Sequence, residues 1–218
     1  ISISKTLEAI GFDVRTLTDA TSENFRKAID DFAFQSETAD LALIYFAGHG
    51  VEVQGENFLI PVDANVKSNK DVQRQSVSLK QLLAAAGNAR KMRIVILDSC
   101  RDNPFGDALD LAALIETENS ASKTRSLTGG LAKPNPDRGT LVAFAAKDGQ
   151  KALDGTGINS PFAIALMENL PKPNLEISLL FRQVRDNVLE TTRNQQEPHT
   201  YGSLSGTPYY LAGSSIAN

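Results

Sequence analysis

Apolar and polar positions along the chain follow two different periods, and the switches between them mark the elements. Residues 12–17, PheAspValArgThrLeu, alternate one by one, which predicts a half-buried strand. Residues 21–32 open on a capping threonine and set Phe25, Ile29 and Phe32 on one face of a helix. Residues 40–47 form a near-continuous apolar run that ends at Gly48, the pattern of a strand buried on both faces. Residues 78–86 predict a short helix, and 93–98 and 139–146 two further buried strands. Ser160 followed by Pro161 starts a helix over 160–170. A long amphipathic helix follows at 176–192, and 208–211 read as a last short strand. Apolar strands alternating with helices predict an α/β fold, a three-layer sandwich with a mostly parallel sheet flanked by helices.

Two regions break the rhythm. Residues 106–137 are rich in Asn, Ser, Thr, Gly and Pro, and the stretch is too long for an ordinary connection. It is expected to be a functional or flexible loop. Residues 1–10 read as the end of a helix that runs straight into Gly11, whereas a parallel βαβ unit needs a strand before its helix. The expectation is one domain over 1–218 that is N-terminally incomplete, with its first strand before residue 1. No segment repeats.

Composition then removes whole classes of function. At 218 residues, 41% apolar and 22% charged, the chain matches one globular domain of ordinary size. A net charge of −4 gives no electrostatic case for nucleic acid. No apolar run approaches the roughly 20 residues of a spanning helix, and the first residues lack a signal-peptide pattern. No membrane partner and a cytoplasmic location are expected. The single cysteine, Cys100, forbids an internal disulfide and a Cys-based zinc site, and His49 and His199 are the two histidines.

Ligands of open parallel sheets bind at the carboxyl ends of the strands. One buried strand runs into GlyHisGly (48–50) and another into Ser99–Cys100. If these strands are parallel neighbours, His49 and Cys100 share an edge, as a cysteine–histidine dyad requires. Gly48 and Gly50 permit a tight turn and leave the Gly50 amide open to an oxyanion. On the residues alone a buried structural cysteine and a turn histidine stand equally open. A tyrosine-phosphatase loop would need an arginine six positions after Cys100, where Gly106 stands, and no glycine-rich nucleotide loop follows a strand. His199 lies in a polar stretch and reads as a surface histidine.

Three blocks carry a family resemblance: TyrPheAlaGlyHisGly (45–50), AsnPheLeuIleProValAspAla (57–64) and ValIleLeuAspSerCysArgAspAsnProPhe (95–105). They resemble the signature blocks of caspase-like cysteine peptidases, closest to the paracaspase and bacterial orthocaspase branch, next to the metacaspases. AspGlyThrGlyIleAsnSerProPhe (154–162) and the helix at 176–192 resemble downstream blocks of the same proteins. The caspase motif around the cysteine is QAC followed by Arg, Gln or Gly and then Gly; AspSerCysArgAsp here departs from it, which argues against aspartate specificity.

The resemblance implies a cysteine endopeptidase cleaving protein or peptide substrates after Arg or Lys. It makes His49 the dyad histidine and Cys100 the nucleophile, with the amides of Gly50 and Cys100 as the oxyanion hole. It makes Asp98 and Asp154 the acids that bind a basic side chain, and paired carboxylates suit a guanidinium on physical grounds. The same resemblance puts the family's first strand and a further pocket acid before Ile1. Residues 51–57 carry only two separated glutamates, so no cofactor is expected and a calcium requirement is not. Arg125, in the polar stretch past the nucleophile, is the candidate for self-cleavage. The alternatives are a catalytically inactive caspase-like interaction module and a different thiol hydrolase on the same fold.

Overall fold

The computed structural model describes residues 2–100, 133–147, 152–155 and 157–213, with Cys100 placed by its backbone. Arg125 and most of the 106–137 stretch lie outside the described residues.

The elements in chain order are α1 (Ser2–Ala9), α2 (Ser22–Ser36), β1 (Leu41–Val53), β2 (Glu56–Leu59), α3 (Asn69–Gln75), β3 (Val77–Ser78), α4 (Leu79–Ala86), β4 (Met92–Cys100), β5 (Thr140–Phe144), α5 (Pro161–Asn169), α6 (Ile177–Thr191) and β6 (His199–Ser203). Hydroxyls start the helices as the sequence suggests. Thr21 accepts the Asn24 amide, Ser160 the Ala163 amide, and Ser78 forms a reciprocal capping box with Gln81, each cap stabilising its helix by about 1 kcal/mol.

Among the described residues, six strands form one mixed sheet in the order β3-β2-β1-β4-β5-β6. Its centre is parallel, β1 with β4 and β4 with β5, while β2, β3 and β6 join antiparallel at the two sides. Alternate residues divide the core. Met92, Ile94, Ile96, Leu141 and Ala143 face α1, α5 and α6 through Ile3, Leu7, Phe162, Leu166, Leu180 and Val184. Val95, Leu97, Val142 and Phe144 face α2 and α4 through Phe25, Leu79 and Leu82. Residues such as Phe162, Leu82 and Leu97 are fully buried, and each contributes about 1.5–3 kcal/mol of transfer free energy. Helices on both faces of the sheet make the three layers.

Four local readings change. Residues 12–15 alternate in burial, with Phe12 and Val14 half-buried against the core, but Thr16 and Leu17 are exposed and the segment pairs with no strand among the described residues. A half-buried stripe is necessary for a strand but does not supply a ladder. The Leu41–Gly48 stretch of β1 likewise pairs only with β4 among the described residues. The run at 40–47 does not stop at Gly48: β1 continues through the glycines into a hairpin with β2. The turn is Gln54–Gly55, both left-handed at φ 54 and 83, a two-residue connection that twists with its strands. At the far end, 208–211 supply only an isolated bridge from Tyr210 to Glu176. The last strand among the described residues is β6, where a polar loop was expected, because an edge strand can stay polar when its backbone is satisfied by β5.

Candidate active site at the carboxyl edge of β1 and β4

The parallel ladder between β1 and β4 runs from Leu41 opposite Met92 to His49 opposite Cys100. The condition for a dyad is therefore met at the level of the backbone: the histidine and the thiol-bearing residue end the ladder as register partners. His49 sits where β1 changes neighbours. Up to His49 the strand pairs with β4, and from Gly50 it pairs with β2. Its carbonyl accepts the Ile60 amide at 3.0 Å, so the histidine backbone is held from the hairpin as well. His49 is exposed and Gly50 is buried.

Gly48 answers to a close approach. A Cβ there would stand 2.8 Å from Phe46 Cζ, and the Phe46 ring is stacked on Phe25 at 5.8 Å with the planes 2° apart. The phenylalanine pair thus lies against the backbone immediately before the histidine.

Two positions before Cys100, Asp98 stands opposite Ala47. Its Oδ2 accepts hydrogen bonds from Tyr45 Oη at 2.8 Å and Ser160 Oγ at 2.6 Å. Ser160 simultaneously accepts the Ala163 amide at 2.9 Å as the cap of α5. The carboxylate is therefore located by β1, by its own strand and by the first turn of a helix on the covering layer. Burial pushes the Asp98 carboxyl above the usual carboxylate range; the Ser160 and Tyr45 hydroxyls pull it back, and the charge of Asp154 adds to the push. Burial, with the Asp98 charge beside it, holds the Tyr45 hydroxyl protonated far beyond its ordinary range. Tyr45 is thus a fixed donor at any working pH.

Asp154 is exposed, and its charge is felt at Asp98. It follows Leu153, whose amide donates to Gln196 Oε1 at 2.8 Å, and precedes Gly155, left-handed at φ 76. The structure thus brings the two acids into one electrostatic neighbourhood beside the end of the β1–β4 ladder. His199 lies elsewhere, exposed at the start of β6 with its ring against Tyr201 at 4.8 Å. Among the described residues no group of three or more His, Cys, Asp or Glu side chains is gathered as a metal ion would require.

Tyr45, Ser160 and Gln196 are the neighbours that sequence reasoning passed over. Tyr45 read as one more apolar strand position and Ser160 as a cap. The only signal for either was a hydroxyl at a position whose other demands were already met. Gln196 carried none.

Comparison with known proteins follows the same lines. A model of the caspase domain matches residues 1–209. The human mucosa-associated lymphoid tissue lymphoma translocation protein 1 is 30% identical over 120 residues, 54% of this chain and 14% of that protein. Its mouse homolog is 29% identical over the same length. The match thus spans about one seventh of these relatives' own length. Among solved structures, caspase-1 from Spodoptera frugiperda is 18% identical with a TM-score of 0.64, covering 99% of this chain and 80% of that one. The pro-form of that caspase gives 0.67 at the same identity, covering 98% and 81%. At such identity the two structures speak for the fold.

Proposed function

The chain belongs to the caspase-domain family, and on that premise we propose that it is a cysteine endopeptidase that cleaves after Arg and, less well, after Lys. The observation that carries this reading is the pairing of His49 with Cys100 at the end of the parallel ladder, with Asp98 and Asp154 alongside. In the proposed reaction the Cys100 thiolate attacks the scissile carbonyl carbon, and the Gly50 and Cys100 amides receive the developing oxyanion. The C–N bond breaks as His49 gives its proton to the leaving amine. Water then attacks the thioester carbon and gives a proton to His49; the C–S bond breaks, the acyl part leaves as the carboxylic acid, and the Cys100 thiolate is restored beside protonated His49. Asp98 and Asp154 bind the basic side chain on the acyl side.

Pocket acids of this kind act through binding. Removing one carboxylate from a charge pair that the bound side chain desolvates costs a few kcal/mol, so Asp98→Ala and Asp154→Ala should each lower cleavage after Arg tenfold or more. Cys100→Ala and His49→Ala should abolish turnover, and His199→Ala should leave it near wild type. The direct test is labelling with an arginyl chloromethyl ketone followed by peptide mapping. Modification at Cys100 that depends on His49 supports the dyad. A folded protein that neither labels nor cleaves basic peptides is an interaction module instead. The same assay in EGTA should keep its rate, since residues 51–57 offer few of the oxygens calcium needs.

A further inference from the structure

Gln196 is a fully buried amide in a segment otherwise unconnected with the site. Every polar atom of its side chain is spoken for. Its Nε2 donates to the Ala145 carbonyl at 2.8 Å and its Oε1 accepts the Leu153 amide at 2.8 Å. Its own backbone amide donates to Thr192 Oγ1 at 3.1 Å, a hydroxyl buried at the end of α6. The next residue, Glu197, takes the Lys147 amide on its carbonyl at 2.7 Å and the Lys147 ammonium on its carboxylate at 2.6 Å.

These bonds connect the two acids. Ala145, just past β5, donates its amide to the Leu97 carbonyl at 2.9 Å, and Leu97 immediately precedes Asp98. Leu153 immediately precedes Asp154. A continuous path therefore runs from the residue before one acid, through Ala145 and the Gln196 amide, to the residue before the other. Backbone groups in such a path have fixed lengths, and the burial of Gln196 excludes the water that would otherwise replace it.

We infer that Gln196 is a positioning residue that sets the separation of Asp154 from Asp98, and through it the binding of a basic side chain. The inference deepens the reading of the two acids given above and rests on it. Glutamine suits the post because one end donates and the other accepts, matching a carbonyl on one side and an amide on the other. Alanine supplies neither. Ionised glutamate keeps the acceptor for Leu153 but sets a second acceptor against the Ala145 carbonyl, whereas protonated glutamate restores the donor.

The test is a double-mutant cycle read with an Arg-containing peptide, together with amide hydrogen exchange. Gln196→Ala should lower kcat/KM about tenfold, chiefly through KM, and should lose exchange protection at Leu153 while the sheet keeps its own. In an Asp154→Ala background the further loss on removing Gln196 should vanish, as coupled residues require. Alkylation of Cys100 by iodoacetamide, which needs no basic side chain, should keep its rate. Gln196→Glu should approach wild-type cleavage at low pH and fall behind as pH rises.

The failures are separable. If Asp154→Ala leaves Arg cleavage unchanged, the paired-acid reading falls. If Asp154→Ala is damaging but the Gln196 loss adds to it in full, the acids stand and Gln196 is merely structural. Unchanged exchange at Leu153 in Gln196→Ala overturns the inference without reference to activity. Should Gln196→Ala melt below the assay temperature, the pH trend of Gln196→Glu decides: a constant ratio to wild type across pH overturns it.

Discussion

Asp98 carries two demands that pull apart. Its burial disfavours charge, while the proposed binding of a guanidinium calls for charge, and the Ser160 and Tyr45 hydroxyls mediate by stabilising the ionised form. Tyr45→Phe removes one of those donors and leaves the ring. Cleavage after Arg should then lose its low-pH activity sooner, with the acid limb of kcat/KM displaced to higher pH; a limb that stays in place would deny Tyr45 this role. Ser160→Ala should act in the same direction but also uncap α5, at about 1 kcal/mol, so Tyr45→Phe is the cleaner variant. The stability consequence has the opposite sense. Because the folded carboxyl titrates above its unfolded value, the folded protein holds its proton longer. Stability therefore declines as pH rises from the ordinary carboxylate range through the raised one. Asp98→Asn should raise the melting temperature at neutral pH, give no gain well below pH 4, and lower Arg cleavage tenfold or more. The placing of His49 and Cys100 at the ends of buried strands was legible in local pattern, whereas Asp98 and Asp154 were singled out only through the family resemblance. Tyr45, Ser160 and Gln196 were silent because their partners lie 53, 62 and 51 residues away, at Asp98, Asp98 and Ala145.

Among the elements, β1 does the most. It leaves the parallel ladder at His49 and enters the hairpin at Gly50, so a single strand belongs to both parts of the sheet. The hydrophobic run announced its first half. Its continuation through ValGluVal was not announced, because the two-residue turn at Gln54–Gly55 lacks the usual Asn-Gly signature. Strand β6 escaped notice for the reverse reason: it is polar and half-exposed, and only its pairing with β5 makes it a strand. Gly48→Ala tests how tightly β1 is packed ahead of the histidine. The new methyl would meet the Phe46 ring, which Phe25 backs. Overpacking of this kind typically destabilises by 1–3 kcal/mol, roughly. Thermal melting should show the loss, and Phe46→Leu in the same chain should recover part of it. If Gly48→Ala melts with the wild type, the ring has room that the geometry denies it.

At the scale of the whole molecule, apolar strands alternating with amphipathic helices were enough to foresee three layers, because that pattern leaves few ways to bury both sheet faces. The strand order was not legible, since periodicity says which face is buried and nothing about which strand lies beside which. One whole-chain prediction concerns Arg125. An enzyme cutting after basic residues meets its own polar segments at high effective concentration. Wild-type protein should therefore yield two fragments meeting between Arg125 and Ser126, seen by intact mass, and Cys100→Ala should remain whole. A wild type that digests peptides yet stays intact would refute this. The β1–β4 ladder also bears on time. His49 and Cys100 meet only once a distant stretch of chain has crossed over and aligned in parallel, whereas the helices and the β1–β2 hairpin close over short distances. Contacts between remote segments form slowly. On the proposed function, the chain would gain most of its helix during synthesis or refolding well before it could cut a substrate.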